Sequence, residues 1–224
     1  MLDLYNRVGL KTAATGFKGK ISGTINRKNE KLKGYCMSPI QAQRAVRGRF
    51  LDLQYTVSQA KDIPQAIRYL EDGLLITGAG KIIWFGSWQE GQNLLNQDMP
   101  LEHYPEQLIV PGFIDTHIHF PQTEMVGAYG EQLLEWLNTY TFPTEVQFKD
   151  KVYADKIAQF FVQELLKNGT TTALVFCTVH AESVNALFEA AEQHQMRLIA
   201  GKVMMDRHAP EDLCETAESS YHDS

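Results

Sequence analysis

The chain has 224 residues, of which 44% are hydrophobic and 21% are charged, and its formal net charge is −6. This composition excludes a disordered chain and provides enough apolar residues for one large or two small packed domains. No apolar run approaches the ~18 residues that cross a bilayer, and residues 1–20 lack the apolar core of a signal peptide, so we predict a cytoplasmic protein without membrane partners.

Three cysteines, Cys36, Cys177 and Cys214, are far apart in the sequence and odd in number. They therefore provide neither a disulfide framework nor a CxxC zinc knuckle. We expect reduced thiols, with Cys177 buried in a strand.

Basic residues are concentrated in residues 1–36, which contain eight Lys or Arg and two acidic residues. A basic arm of this kind is able to bind nucleic acid or an acidic surface. The remainder of the chain is acidic, and residues 1–36 show no apolar periodicity. We therefore interpret them as an extension upstream of Met37 that is not part of the fold. Deleting them is expected to leave folding and activity unchanged.

Residues 37–107 are predicted to form the N-terminal part of a β-domain and a connector. Two apolar runs flank Gly78-Ala-Gly80, where glycine supplies the positive φ that a tight hairpin needs. A dinucleotide-binding loop is excluded because Ile83 stands where the third glycine belongs and a strand follows. Residues 87–107 are polar and are predicted to be a short helix and a connecting segment.

Residues 108–224 show strands that alternate with helices. The helix predicted at 150–167 presents Tyr153, Ile157, Phe160, Phe161 and Leu165 on one face. The strand at 170–178 is nearly all apolar, as expected when both of its faces are buried in a parallel sheet. Such an alternation indicates βαβ units and an α/β architecture. Strands are predicted at 108–119, 170–178 and 197–205, and helices at 150–167, 181–195 and from 211 onwards.

The run VPGFIDTHIHFPQ ends a strand with two histidines one residue apart. Alternation along a strand places His117 and His119 on the same face, with Asp115 behind them. Neutral imidazole is a common zinc ligand, and the reactive face of a parallel barrel lies at the C-terminal ends of its strands. Taken alone, the pair also fits two exposed or hydrogen-bonded histidines. Asp115 either orients a ligand imidazole or caps the strand end.

PGFIDTHIHFPQ is similar to the first barrel strand of the amidohydrolase superfamily. The longer run PGFIDTHIHFPQTEMVGAYGEQLLEWLNTYTFPTE closely resembles guanine deaminases, and NGTTTALVF and GKVMMDR extend the likeness. The resemblance implies an α/β fold: the first three strands of an incomplete (β/α)₈ barrel, preceded by part of a small β-sandwich. The domains are then a basic extension at 1–36, the β-sandwich part and connector at 37–107, and the first βα units at 108–224.

The resemblance also implies zinc-dependent hydrolysis of guanine to xanthine and ammonia, usually by a homodimer. His117 and His119 match two zinc ligands, and Gln122 matches a glutamine that reads the purine. A carboxamide suits that role because it offers both a donor and an acceptor. Without the family match, Gln122 is better interpreted as a loop residue that caps local backbone.

Trp136 is a candidate to cover the purine ring, because aromatic faces stack on bases. The interpretation that we favour is a short helix in which Leu133, Leu134, Trp136 and Leu137 pack onto the barrel. His180 and Asp206 follow the second and third strands on the reactive face. For both we favour solvated or ligand-supporting roles over direct catalysis.

The remaining zinc ligands and the HxxE glutamate that moves the proton are implied beyond residue 224, so no catalytic acid or base is assigned. We expect this chain alone to be inactive and to bind zinc weakly. The nearest alternative is another amidohydrolase that acts on a different heterocycle or a chlorinated triazine. A non-catalytic product or a split subunit is a further alternative, and a nucleic-acid binder is the least favoured.

Overall fold

The computed structural model describes residues 44–130 and 132–224. The predicted extension at 1–36, together with Cys36 and residues 37–43, lies outside the described residues. The chain divides into two compact units, with the boundary between Pro111 and Gly112. Among the described residues, no helix is long and apolar enough to cross a membrane.

The first unit is built on a four-stranded sheet with the order β3-β2-β1-β4. Phe50 and Phe85 pack edge to face on it with ring centroids 5.1 Å apart, and Ala45, Leu74 and Ile76 form its buried centre. The elements are β1 (Arg44–Leu53), α1 (Ile63–Ala66), β2 (Ile67–Gly78), β3 (Lys81–Ser87), α2 (Trp88–Gly91) and β4 (Leu101–Ile109), with 3₁₀ helices at Ala60–Asp62 and Gln92–Leu94.

The predicted hairpin is present, since β2 and β3 pair antiparallel around a two-residue turn. The left-handed residues of this turn are Ala79, with φ of 49°, and Gly80, with φ of 72°. A two-residue turn with positive φ at both central positions matches the right-handed twist of the flanking strands. The sequence predicts the positive φ of this turn at its glycines; Gly80 has it, and the non-glycine Ala79 has it as well.

The short helix predicted within residues 87–107 is present as α2 (Trp88–Gly91), but the rest of that segment is not only a connector. The strand predicted at 108–119 begins at Phe113. β4 (Leu101–Ile109) is a strand that pairs parallel with β1 at the edge of the sheet. An edge strand tolerates Pro105, which has no N–H to donate. The ladder shifts register beside it, and the Arg49 guanidinium donates to the Pro105 carbonyl at 2.8 Å. A polar, proline-containing segment therefore forms a strand that its composition does not indicate.

The second unit contains a parallel sheet with the order β5-β6-β7 and helices that follow each of the first two strands. This arrangement confirms the predicted α/β fold class. The strands are β5 (Phe113–His119), β6 (Thr170–Phe176) and β7 (Arg197–Gly201). The helices are α3 (Leu133–Trp136), α4 (Phe142–Val146), α5 (Lys151–Lys167), α6 (Ala181–His194) and α7 (Ala217–His222), with 3₁₀ turns at Phe120–Met125, Gln147–Lys149 and Glu211–Leu213 and a π-helix at Leu137–Thr141.

Helix α5 follows the prediction at both ends. The Asp150 carboxylate accepts from the backbone N–H of Val152 as an N-cap, and Gly169, with φ of 89°, ends the helix in the left-handed region. Ile157 and Phe161 are buried as predicted. Phe160 is 54% exposed, so it does not belong to the buried face.

The segment after β6 departs from the prediction in two places. β7 ends at Gly201, so the predicted strand at 197–205 is too long. The predicted helix from 211 is split, because Thr216 begins α7 with a capping box in which its hydroxyl accepts from the Ser219 N–H at 3.0 Å. Cys177 is buried as expected, but it lies one residue beyond the end of β6.

The parallel sheet buries only one of its faces within the second unit. Ala173 and Val175 of β6 are buried in the same core cluster as residues of α5 and α6, including Leu187. On the other face, Leu174 is 37% exposed and Ile199 is 60% exposed. The prediction that both faces of this strand are buried was therefore wrong for the described residues.

Glu145 of α4 is a buried carboxylate, and burial raises its pKa from the ordinary 4.5 to about 7. Between these two pH values the folded chain holds a proton that the unfolded chain has lost, so stability falls as pH rises through this window. We predict that Glu145→Gln, which keeps the shape without the charge, stabilises the chain by about 2 kcal/mol at pH 8 and changes little near pH 4. Urea unfolding at both pH values measures this.

The control for this prediction is Glu192→Gln, since Glu192 is an exposed carboxylate on α6. It should leave the pH dependence of unfolding unchanged. If Glu145→Gln and the unsubstituted chain lose stability in parallel between pH 4 and pH 8, the carboxyl group of Glu145 does not titrate in this window.

Candidate metal and substrate site

His117 and His119 lie at the C-terminal end of β5, as the sequence predicts. The ladder with β6 is irregular between Asp115 and Ile118, where three steps of β5 oppose two steps of β6. The Asp115 carboxylate accepts from the backbone N–H of His117 at 3.0 Å. Of the two roles considered for Asp115, the structure favours support of the strand backbone, because this carboxylate bonds to main chain and not to an imidazole.

The two imidazole rings are close enough to coordinate the same ion. Their centroids are 5.2 Å apart and their planes are 60° to each other. The pKa of His119 is lowered, chiefly because burial disfavours the charged form and also because His117 is nearby. A lowered pKa favours neutral imidazole, which is the form that binds zinc. The donor set therefore fits a metal that takes nitrogen ligands.

These two side chains do not make a complete metal site by themselves. Among residues 44–130 and 132–224, no group of three or more His, Cys, Asp or Glu is placed to hold a metal ion. A catalytic zinc ion usually takes three protein ligands and keeps an open position. His117 and His119 can supply two of these ligands.

An open cavity of about 790 Å³ adjoins the histidine pair. His117, His119, Gln122 and Trp136, which are the four residues singled out from the sequence, all line it. The cavity also includes Phe160, the α5 side chain whose exposure the helical pattern did not predict. The structure thus brings the predicted site residues together around one space.

Gln122 lies in the 3₁₀ helix Phe120–Met125, directly after the histidine pair. Within the described parts of the chain, no hydrogen-bond partner is found for its carboxamide, whereas the neighbouring Thr123 hydroxyl donates to the Phe120 carbonyl at 2.6 Å. Thr123 therefore takes the local capping role that was considered for Gln122. The Gln122 donor and acceptor remain available at the cavity wall.

Trp136 is held by the loop that precedes it. Its indole Nε1 donates to the Ala128 carbonyl at 3.2 Å, and a Cβ on Gly130 would lie only 2.6 Å from the Trp136 Cβ. The alternative, in which the short helix packs onto the barrel, does not hold for Leu133 and Leu134, which are 70% and 72% exposed. The α3 helix is fixed mainly through its tryptophan.

His180 and Asp206 do not line the cavity. His180 occupies the N-cap position of α6, and its Nε2 atom is buried without a hydrogen-bond partner in the described residues. Its pKa is lowered by burial first, with Glu182 and Glu215 opposing this effect. Asp206 is half exposed and faces Arg207 at 3.4 Å, in accord with a solvated role.

Phe176 contacts the two histidines of this site, and the sequence analysis did not single it out. It is the last residue of β6 and pairs in register with His119. Strand alternation correctly places Phe176 on the same face as Leu174. The residue that it meets on β5 depends on the register between β5 and β6, which alternation does not give. Its ring contacts both histidines.

The chain has relatives among known proteins, and the matches extend beyond the second unit. The chain is 57% identical over 188 residues to guanine deaminase of Escherichia coli K12, and the alignment covers 84% of this chain and 43% of the relative. A solved E. coli guanine deaminase structure superposes with a TM-score of 0.77 at 58% identity, covering 81% of this chain and 42% of the other.

A guanine deaminase of Clostridium acetobutylicum, solved with guanine bound in its active site, matches at 29% identity with a TM-score of 0.66, covering 80% of this chain and 41% of the other. An adenosine deaminase of Xanthomonas campestris with bound zinc, at 17% identity and a TM-score of 0.64, covers 81% of this chain and 38% of the other and shows the shared fold alone. The chain thus spans about two fifths of the length of the relatives it matches.

The amidohydrolase family model matches residues 108–224, which include all three parallel strands and every residue of the candidate site. This match covers more than half of the chain and agrees with the βα order, with the position of the histidine pair and with the solved relatives. The chain belongs to the amidohydrolase family.

Proposed function

We propose that this chain supplies two zinc ligands and part of the substrate pocket of a zinc-dependent guanine deaminase, which hydrolyses guanine to xanthine and ammonia. The observation that carries the proposal is the meeting of His117, His119, Gln122 and Trp136 around one cavity. The assignment of guanine as the substrate rests on the 57% identity to a guanine deaminase.

In this proposal His117 and His119 hold the zinc ion. When bound, zinc acts as a Lewis acid that lowers the pKa of a water molecule to about 7. Asp115 fixes the backbone from which the His117 ring projects. The resemblance to amidohydrolases implies that later barrel strands contribute the other ligands and the glutamate that transfers the proton.

Gln122 and Trp136 recognise the base. The Gln122 carboxamide offers an acceptor and a donor to a purine edge, and a site that hydrogen-bonds its substrate strongly rejects analogues that leave these groups unpaired. Trp136 offers an aromatic face, which stacks on bases without regard to their edge pattern. The indole N–H is already bonded to Ala128, so Trp136 supplies contact area and Gln122 supplies selectivity.

A homodimer belongs to the same proposal and rests on the resemblance to guanine deaminases. The cytoplasmic location stays the prediction made from the sequence. Zinc as the particular metal also rests on the resemblance, supported by the two-imidazole donor set.

The test compares the chain alone with a chimera in which it continues into the matching C-terminal barrel segment of E. coli guanine deaminase. Xanthine and ammonia are measured after incubation of each zinc-loaded protein with guanine, adenine or a chlorinated triazine. We expect the chimera to deaminate guanine and the chain alone to be inactive. If a folded, zinc-loaded chimera hydrolyses the triazine but does not deaminate guanine, the result would instead support the alternative of an amidohydrolase that acts on a chlorinated triazine.

A further inference from the structure

Phe176 lies against both imidazoles of the candidate metal site. Its ring centroid is 4.8 Å from that of His119, and the two planes are nearly parallel at 16°. The centroid of the His117 ring is 4.9 Å away, with the planes tilted by 51°. One phenyl ring therefore forms a common wall for two side chains that are proposed to bind the same ion.

The register of the sheet and the direction of the ring explain this contact. Phe176 pairs with His119 on one side and with Gly201 of β7 on the other. A Cβ built on Gly201 would meet no atom within 4 Å, so the phenyl ring does not lie over Gly201. It is turned towards β5 and the histidines.

The histidine rings need such a contact because the backbone alone does not orient them. The Asp115 carboxylate accepts a hydrogen bond from the main-chain N–H of His117. This bond does not restrict rotation of the exposed His117 side chain. Ordering a mobile side chain when a ligand binds weakens affinity, and a preformed arrangement avoids this loss. Offset stacking and tilted aromatic contacts both favour defined ring orientations.

We propose that Phe176 is a positioning residue of the metal site. It holds the His117 and His119 rings in the orientation in which both coordinate one ion. This inference rests on the proposed function, because it assumes that the histidine pair binds metal. Phe176 does not touch the ion in this role. It acts through the two imidazoles that do.

A purely structural role for Phe176 makes a different prediction, and the strand offers a matched control. Leu174 lies two residues earlier on the same face of β6, is 37% exposed and pairs with Ile199 of β7. Truncating Leu174 removes apolar packing from the same face and leaves the phenyl ring of Phe176 against both histidines. Loss of packing alone would therefore affect Leu174→Ala and Phe176→Leu alike.

The experiment measures zinc affinity of the purified chain by competition with a chromophoric chelator, for the unsubstituted chain and for Phe176→Leu, Phe176→Tyr and Leu174→Ala. We expect Phe176→Leu to weaken zinc binding about tenfold, because the aliphatic side chain lacks the flat face, while Phe176→Tyr and Leu174→Ala stay within about twofold. Circular dichroism checks that each variant is folded. Unchanged zinc affinity in folded Phe176→Leu, or an equal loss in Leu174→Ala, would overturn the inference.

A second readout does not depend on metal or on the stability of a variant. In the metal-free, unsubstituted chain, the stacked phenyl ring should shift the NMR signals of the His119 ring protons upfield. If this upfield shift is absent, the proposed contact is contradicted. His117→Ala separates the two proposals. If zinc affinity does not change in His117→Ala, the metal site itself is wrong, whereas a change there without one in Phe176→Leu refutes only the role of Phe176.

Discussion

Replacing His117 with alanine should lower zinc affinity by at least about 100-fold, since it removes one of the ligands that the chain contributes. In the chimera with the E. coli C-terminal segment, the same change should abolish guanine turnover. The physical reason is that the two imidazoles, whose ring centroids are 5.2 Å apart, are proposed to coordinate the same ion. His119 alone then supplies only one of these two ligands. Zinc content after dialysis, together with xanthine formation, measures the effect.

The matched control is His222→Ala. His222 is exposed in the last turn of α7, where its ring contacts only Tyr221 among the aromatic residues described. It should retain zinc and activity at the level of the unsubstituted protein. Full zinc content in His117→Ala, with guanine turnover preserved, would show that the metal lies elsewhere.

Replacing Gln122 with alanine should separate substrate recognition from metal binding. We expect kcat/KM for guanine to fall by about 10- to 100-fold in the chimera, because a hydrogen-bonding edge of the bound purine is left without its partner. The zinc content should not change, since the carboxamide is not proposed as a ligand. Steady-state kinetics with guanine and metal analysis of the same preparation test both statements.

Two variants sharpen the interpretation of Gln122. Gln122→Glu keeps the shape and the acceptor but loses the amide donor, so it should impair guanine turnover as well. Thr123→Ala removes the hydroxyl that donates to the Phe120 carbonyl in the same 3₁₀ helix, and it reports the cost of disturbing local backbone. If Gln122→Ala leaves guanine kinetics unchanged, or if Thr123→Ala reproduces its effect in full, Gln122 is not the residue that reads the purine.

The histidine pair illustrates what strand alternation predicts correctly and what it omits. The HxH spacing places both rings on one face, and the structure has them there. The irregular register between Asp115 and Ile118 is not encoded in that spacing. It depends on how β5 pairs with β6, a contact between residues far apart in the chain.

The sequence by itself determined the elements whose signals are local. The period of α5, its Asp150 cap and the glycine at its end predict a helix, and the alternation of such helices with apolar strands predicts a parallel α/β fold. The family motif, carried by His117, His119 and Gln122, is also local, because a few adjacent residues at the end of one strand form it.

Only the tertiary structure decided the features that depend on partners distant in sequence. β4 is a strand because β1 offers it an edge, although its own composition resembles a loop. Leu174 is exposed because it lies on the face of the sheet that the helices of the second unit do not cover. Phe176 belongs to the same apolar run but contacts the histidines, because the register of the sheet places it beside His119. Periodicity records which side of an element is apolar, whereas the neighbour that each side chain meets is set by non-local packing.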